Sequence, residues 1–233
     1  MNENQAREEI CRIGKSLFDR GYAHATAGNI SVRLDDGYLI TPTDACLGFL
    51  DPAELALLDA NGNHLSGARP SKTIILHRRI YDAARTGQSQ TRCIIHTHSH
   101  ACVQLSLQAD ADAAGPATGL SRELLAPITP YFVMKVGHVP LIAYCRPGDA
   151  QAGERVAQAI LAYQQAGTPL RAVMLERLGP NVWHDTPAAA MATLEELEET
   201  ARLALDCARL NMPVAPLPES ALQDLRDVFG AAW

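Results

Sequence analysis

Residues 92–100 read Arg92-Cys93-Ile94-Ile95-His96-Thr97-His98-Ser99-His100. The short apolar run, β-branched at Ile94 and Ile95, predicts a compact buried strand over 92–96. That strand delivers alternating histidines to its end. Residues i and i+2 of extended backbone point to the same side, so His96, His98 and also His100 can converge. Imidazole is the commonest side-chain ligand for zinc and its neighbours. Taken alone, the pair also fits two satisfied core or turn histidines, and its surroundings must decide.

Around this strand, helical and strand-like periods alternate. Ile10, Ile13, Leu17 and Phe18 predict an amphipathic helix over about 4–20, stopped by Gly21. Residues 30–34 and 38–41, joined by Asp35-Asp36-Gly37, predict a β-hairpin. A strand is expected over 54–59, turned back by Asn61-Gly62-Asn63. Pro70-Ser71 opens a helix with Ser71 as N-cap and Ile75, Leu76, Ile80 and Ala83 on its apolar face. The chain resumes as a helix over about 99–107, strands over 132–136 and 141–144, a helix over 148–165, and strands at 172–175 and 181–183. Thr186-Pro187 is an N-cap followed by proline at the first helical position, opening a helix that carries Leu194, Leu197, Ala201 and Leu205. A proline-rich connector, 213–218, leads to a last helix over about 219–229. The sum is an α/β fold: one mixed, largely antiparallel sheet with helices on both faces, in a single domain over 1–233.

Composition narrows the function. Of the 233 residues, 47% are apolar and 20% charged, an ordinary globular profile. The net charge of −6 and the lack of any basic run exclude a nucleic-acid surface, and Arg78-Arg79 reads as a solvated helix face. No apolar stretch reaches 18 residues and the N-terminus lacks a signal-peptide core, so no membrane partner is expected. Six scattered cysteines, without a CxxC pair, fit reduced thiols in the cytoplasm.

Three polar clusters accompany the histidines: residues 26–31 (TAGNIS), 41–43 (TPT) and 70–73 (PSKT). Hydroxyls, a lysine and backbone N–H groups at turns or helix starts make phosphate sites, and the same residues serve as plain turns and caps. The strings 28–44 (GNISVRLDDGYLITPTD), 61–81 (NGNHLSGARPSKTIILHRRIY), 94–107 (IIHTHSHACVQLSL) and 194–203 (LEELEETARL) together resemble the class II aldolase/adducin family. Within it, residues 128–149 (ITPYFVMKVGHVPLIAYCRPGD) look closest to the 3-oxo-tetronate 4-phosphate decarboxylases.

The resemblance implies a three-layer α/β/α fold and a homotetramer with active sites between subunits. It implies a divalent metal, Zn2+ or else Mn2+ or Co2+, on His96 and His98. Gly28, Asn29, Thr43, Ser71 and Lys72 match the phosphate-binding loops. Tyr131 lies where the aldolases place an acid from the neighbouring subunit. Two positions depart from the pattern. Where the aldolases carry a glutamate that serves as ligand and base, this chain has Thr73. Where they carry a third metal histidine, it has Leu178, in the turn Glu176-Arg177-Leu178-Gly179-Pro180. His184, Glu176 and His100 are candidate replacements; His24, His64, His77 and His138 read as structural or surface residues.

The implied reaction is decarboxylation of 3-oxo-tetronate 4-phosphate to dihydroxyacetone phosphate and CO2 through an enediolate. Loss of CO2 generates that enediolate without a base, so Thr73 suits a decarboxylase better than an aldolase. Tyr131, or water held by Thr73, returns the proton. The alternatives are an aldolase or epimerase of another sugar phosphate and a non-catalytic adducin-like binding protein.

Overall fold

A computed structural model describes residues 1–108 and 120–233. Asn2 opens helix α1 (Glu3–Asp19) with a capping box, its side chain accepting from Gln5 N–H while Gln5 reaches back to the Asn2 N–H. Strands β1 (Asn29–Arg33) and β2 (Gly37–Ile40) form the expected hairpin, followed by β3 (Ala56–Asp59) and β4 (His64–Ser66). Then come α2 (Ile74–Ala84), β5 (Cys93–His96), α3 (His100–Gln108) and α4 (Pro130–Lys135). The chain finishes with β6 (Leu141–Ile142), α5 (Ala150–Gln165), β7 (Ala172–Leu175), β8 (Gly179–His184), α6 (Pro187–Arg209) and α7 (Glu219–Phe229).

The described strands make one eight-stranded sheet in the order β4-β3-β2-β1-β5-β8-β7-β6. Every neighbouring pair is antiparallel except β6 with β7. Side-chain alternation sorts the central strands onto two helical layers. Ile30, Val32, Cys93, Ile95 and Val182 face a core with α1, α3 and α6. Ile94, Val173 and Trp183 face a second core with α2 and α5. Each fully buried aliphatic side chain contributes about 1.5–3 kcal/mol, so the two layers clamp β5 firmly from both sides.

Several expectations change in detail. Residues 132–135 are helical, not extended, and Val136 caps the helix. The Thr129 hydroxyl accepts from Phe132 N–H and Pro130 takes the first turn, so a local cap overrides the strand-like apolar run. The strand expected over 141–144 is only Leu141–Ile142, and the one expected from 54 begins at Ala56, after a 3-10 turn over Pro52–Glu54. Helix α2 starts after Thr73, and Ser71 does not cap it: the Ser71 hydroxyl bonds the Thr73 hydroxyl at 2.8 Å. The buried face of the helix carries Ile74, His77, Ile80 and Ala83, while Ile75 is 65% exposed. Strand β4 has too few apolar residues to be seen in advance; all three of its residues are exposed.

Candidate functional site

The sheet register lines up three polar residues. Asn29 of β1 pairs with His96 of β5, and His96 pairs with Asn181 of β8. All three are buried and share the α2/α5 face of the sheet. The His96 Nδ1 lies 2.9 Å from the Pro180 carbonyl, which only accepts, so Nδ1 carries the proton and Nε2 presents its lone pair. Burial, with His98 beside it, pushes the His96 imidazole down to about 4 against the opposing bond to Pro180, so the ring is neutral near pH 7. His98 stands just beyond the strand, its ring 5.2 Å from that of His96 and inclined to it at 67°. Its pKa is also lowered, by burial and then by His24, whose ring lies edge-on at 6.4 Å.

Two glycines hold this segment in place. Gly28, at φ +91°, lies so close that a Cβ would sit 2.8 Å from the His96 carbonyl oxygen. Gly179, at φ +136°, presses on the other side, where a Cβ would fall 1.9 Å from the Thr97 carbonyl oxygen and 3.2 Å from the His98 Cα. Any side chain at either position would push the histidines out of line. From the opposite layer, the buried Glu198 of α6 accepts Ala101 N–H at 2.8 Å and Cys102 N–H at 3.0 Å. Its carboxylate thereby satisfies the first turn of α3, directly after the histidine segment.

The histidines open onto a cavity of about 440 Å³. The structure brings Gly28, Asn29, Thr43, Ser71, Lys72 and Thr73 to its wall together with His96 and His98. Tyr131 does not join them within one chain; it is 59% exposed on the first turn of α4. The cavity also gathers cations that local sequence signals missed: Arg69, Arg79 and Arg146. Arg79, assigned above to a solvated face, pairs with Glu154 at 2.7 Å, and Arg146 approaches Asp149 at 3.6 Å. Among the described residues, Arg69 and Lys72 form no ion pair, which leaves two positive charges beside the Ser71 and Thr43 hydroxyls. The Asn29 amide oxygen, buried and without a hydrogen-bond partner, is a further group at the wall. Such a wall suits an anionic, oxygen-rich small molecule.

The sequence profile of the Class II Aldolase and Adducin N-terminal domain matches residues 8–205. The chain belongs to that family. It is 50% identical to the 3-oxo-tetronate 4-phosphate decarboxylase of Cupriavidus necator, with 99% of each chain covered. It is 40% identical to the enzyme of the same name from Escherichia coli K12, over 86% of each chain. The crystal structure of Escherichia coli YgbL superposes with a TM-score of 0.82 at 35% identity, covering 96% of this chain and 99% of YgbL. The helix–sheet–helix architecture is therefore the class II aldolase fold.

Divalent-metal dependence is general for this family. The donors of this chain meet that requirement only in part. His96 offers one correctly fixed nitrogen and His98 a second. Thr73 and Leu178 reach the same cavity, but the Thr73 hydroxyl is engaged with Ser71 and a leucine has nothing to donate. The three candidate replacements fail on geometry. His184 pairs with Cys93 at the far end of β5, the Glu176 carboxylate is taken by Tyr144 N–H and Arg177, and His100 is exposed on α3. Among the described residues, no three histidine, cysteine, aspartate or glutamate side chains converge to hold a metal. A catalytic metal usually rests on three protein ligands, so the residues present do not form a complete site.

Proposed function

We propose that this chain is a carbon–carbon lyase that decarboxylates 3-oxo-tetronate 4-phosphate to dihydroxyacetone phosphate and CO2. The supporting observation is one cavity that joins two unpaired cations and two hydroxyls to a pair of neutral imidazoles, with Thr73 where an aldolase carries its base. Lys72 and Arg69, with Ser71, Thr43 and the loop at Gly28-Asn29, grip the phosphate. Binding energy gained there, remote from the reacting carbons, orients them.

The electron flow suits these residues. Breaking the C1–C2 bond sends its electron pair into a C2–C3 double bond, and the C3 carbonyl becomes an enediolate oxygen. Carbon 1 leaves as CO2. A proton then adds to C2, giving dihydroxyacetone phosphate. No carbon-bound proton is removed, so a hydroxyl at position 73 suffices where an aldol condensation needs a carboxylate. Water held by Thr73 returns the proton, or Tyr131 of a second copy does so across a subunit interface. The latter role calls for a homo-oligomer, which we take to be a tetramer.

A cation held by two imidazoles would be zinc, or manganese or cobalt in its place. No helix of the described residues is long and apolar enough to cross a membrane. Six free cysteines support a cytoplasmic setting. We treat residues 1–233 as one functional unit.

The test is direct. Purified protein given 3-oxo-tetronate 4-phosphate should release CO2 and dihydroxyacetone phosphate in equal amounts, followed by NMR. Cleavage of a ketose phosphate without CO2 release would instead establish an aldolase. Leu178 on the cavity wall favours a second reading, a non-catalytic binding protein, for which the substrate would bind and persist unchanged.

A further inference from the structure

We infer that this chain has no firmly resident metal, because Thr73 and Leu178 have opened a four-position site and left His96 and His98 as a weak, exchangeable pair. The inference concerns only the donors around the cavity and does not depend on which substrate is turned over.

Four side chains border the relevant part of the cavity: Thr73, His96, His98 and Leu178. Their closeness follows from backbone packing. Gly179 rests against the Thr97 carbonyl and the His98 Cα, so residue 178 is carried to the edge of the histidine pair. Leu178 does not leave a gap there. It packs onto the apolar cluster of α2 and α5 that also contains Ile94, Val173 and Trp183. The turn around it is fixed by Leu178 N–H donating to the Leu175 carbonyl, and by Arg177 N–H donating to the Ser106 hydroxyl of α3. A donor has thus been exchanged for core packing at an ordered position.

At position 73 the exchange is of another kind. The Thr73 hydroxyl is shorter than a carboxylate and carries no charge, and its 2.8 Å bond to Ser71 turns it toward the phosphate-binding loop. Neither position can compete for a divalent cation. Two neutral nitrogens hold zinc far more weakly than a set of three or four donors that includes a carboxylate. Nothing else moves in to compensate, since Glu176 is committed to Tyr144 N–H and Arg177, His24 is an exposed residue whose ring lies 6.4 Å from that of His98, and His77 is held at the Ser31 hydroxyl and does not line the cavity.

The experiment measures metal, not activity. Native protein, dialysed against a mild chelator and then against metal-free buffer, is assayed for zinc, manganese and cobalt by mass spectrometry and titrated with zinc by calorimetry. The Thr73→Glu/Leu178→His double variant is treated alike. The native chain should retain well under one metal per chain, and the double variant should retain one and bind zinc at least about 100-fold more tightly. Should the double variant misfold, as judged by its thermal transition, the single Leu178→His variant replaces it and should still gain about tenfold. A native chain that keeps one equivalent through dialysis, and loses it on His96→Ala, overturns the inference. So does a folded variant whose zinc affinity matches the native chain, because positions 73 and 178 would then not be what opened the site.

Discussion

Strand β5 shows the same backbone put to two uses. Toward α1, α3 and α6 it presents Cys93 and Ile95 to an apolar core. Toward α2 and α5 it presents Ile94 and then His96, inside a polar network. On that second side, the Ser31 hydroxyl lies 2.7 Å from His77 Nδ1 and 2.9 Å from the Tyr81 hydroxyl, while Tyr81 donates to the Ser31 and Arg92 carbonyls. The network is not closed. His77 Nε2, Asn29 Oδ1 and both amide atoms of Asn181 are buried without partners. Buried polar atoms in that state cost free energy, and of these only Asn29 Oδ1 belongs to a residue on the cavity wall. One face maximises packing and the other keeps unsatisfied chemistry, at the expense of stability.

That division can be broken by substitution at adjacent positions. Ile95→Ala should lower unfolding free energy by about 2–5 kcal/mol, with turnover per folded molecule unchanged. His96→Ala should cut kcat/KM by at least about 100-fold with less than half that loss of stability. Chemical denaturation beside the decarboxylation assay separates the two, and equal stability losses would erase the distinction.

Acid should reveal the polar face next. His77 is fully buried and pushed down to about 3, by desolvation first and then by nearby His96. Its native pKa lies below the unfolded value near 6.5, so its contribution to stability is complete above that pH and falls as pH drops toward 3. The expected loss is roughly 3 kcal/mol between pH 6.5 and 4, with His96 adding in the same sense. His77→Asn should flatten that slope by up to about 1.4 kcal/mol per pH unit in denaturant titrations. An unchanged slope would place the titrating protons elsewhere.

The smallest effect concerns the anchor between the layers. Glu198→Gln keeps the size of the side chain but loses one accepting oxygen to two buried N–H groups, and should destabilise by roughly 1–3 kcal/mol. Hydrogen exchange at Ala101 and Cys102 should quicken first; exchange there no faster than in the native protein would show the bonds to be dispensable.

Much of this architecture was legible in local signals. The β5 run, the Asp36-Gly37 hairpin, the Thr186-Pro187 helix start and the histidine spacing each announce themselves within a few residues. The polar loops were not legible by themselves, since hydroxyls, a lysine and a glycine serve turns and caps equally well, and only the family resemblance joined them into one candidate site. What escaped were consequences of distance along the chain. Arg79 reaches the cavity from α2, and Arg146 reaches it from the loop just before α5. Asn181 joins His96 only through the β5–β8 register. At 132–136 the legible signal lies upstream: Thr129-Pro130 is as good a helix start as Thr186-Pro187 and outweighs the apolar run that follows it.

The carboxylate of Glu198 joins helix α6 to the first turn of α3, just past the histidine segment. It belongs to the layer remote from the cavity, yet it fixes where the peptide plane three residues past His98 must lie. Displacing α6 along its axis would therefore re-aim the second imidazole while leaving the first, tethered to Pro180, where it was. The angle between the two rings is thus open to adjustment by substitutions on a helix that does not line the cavity.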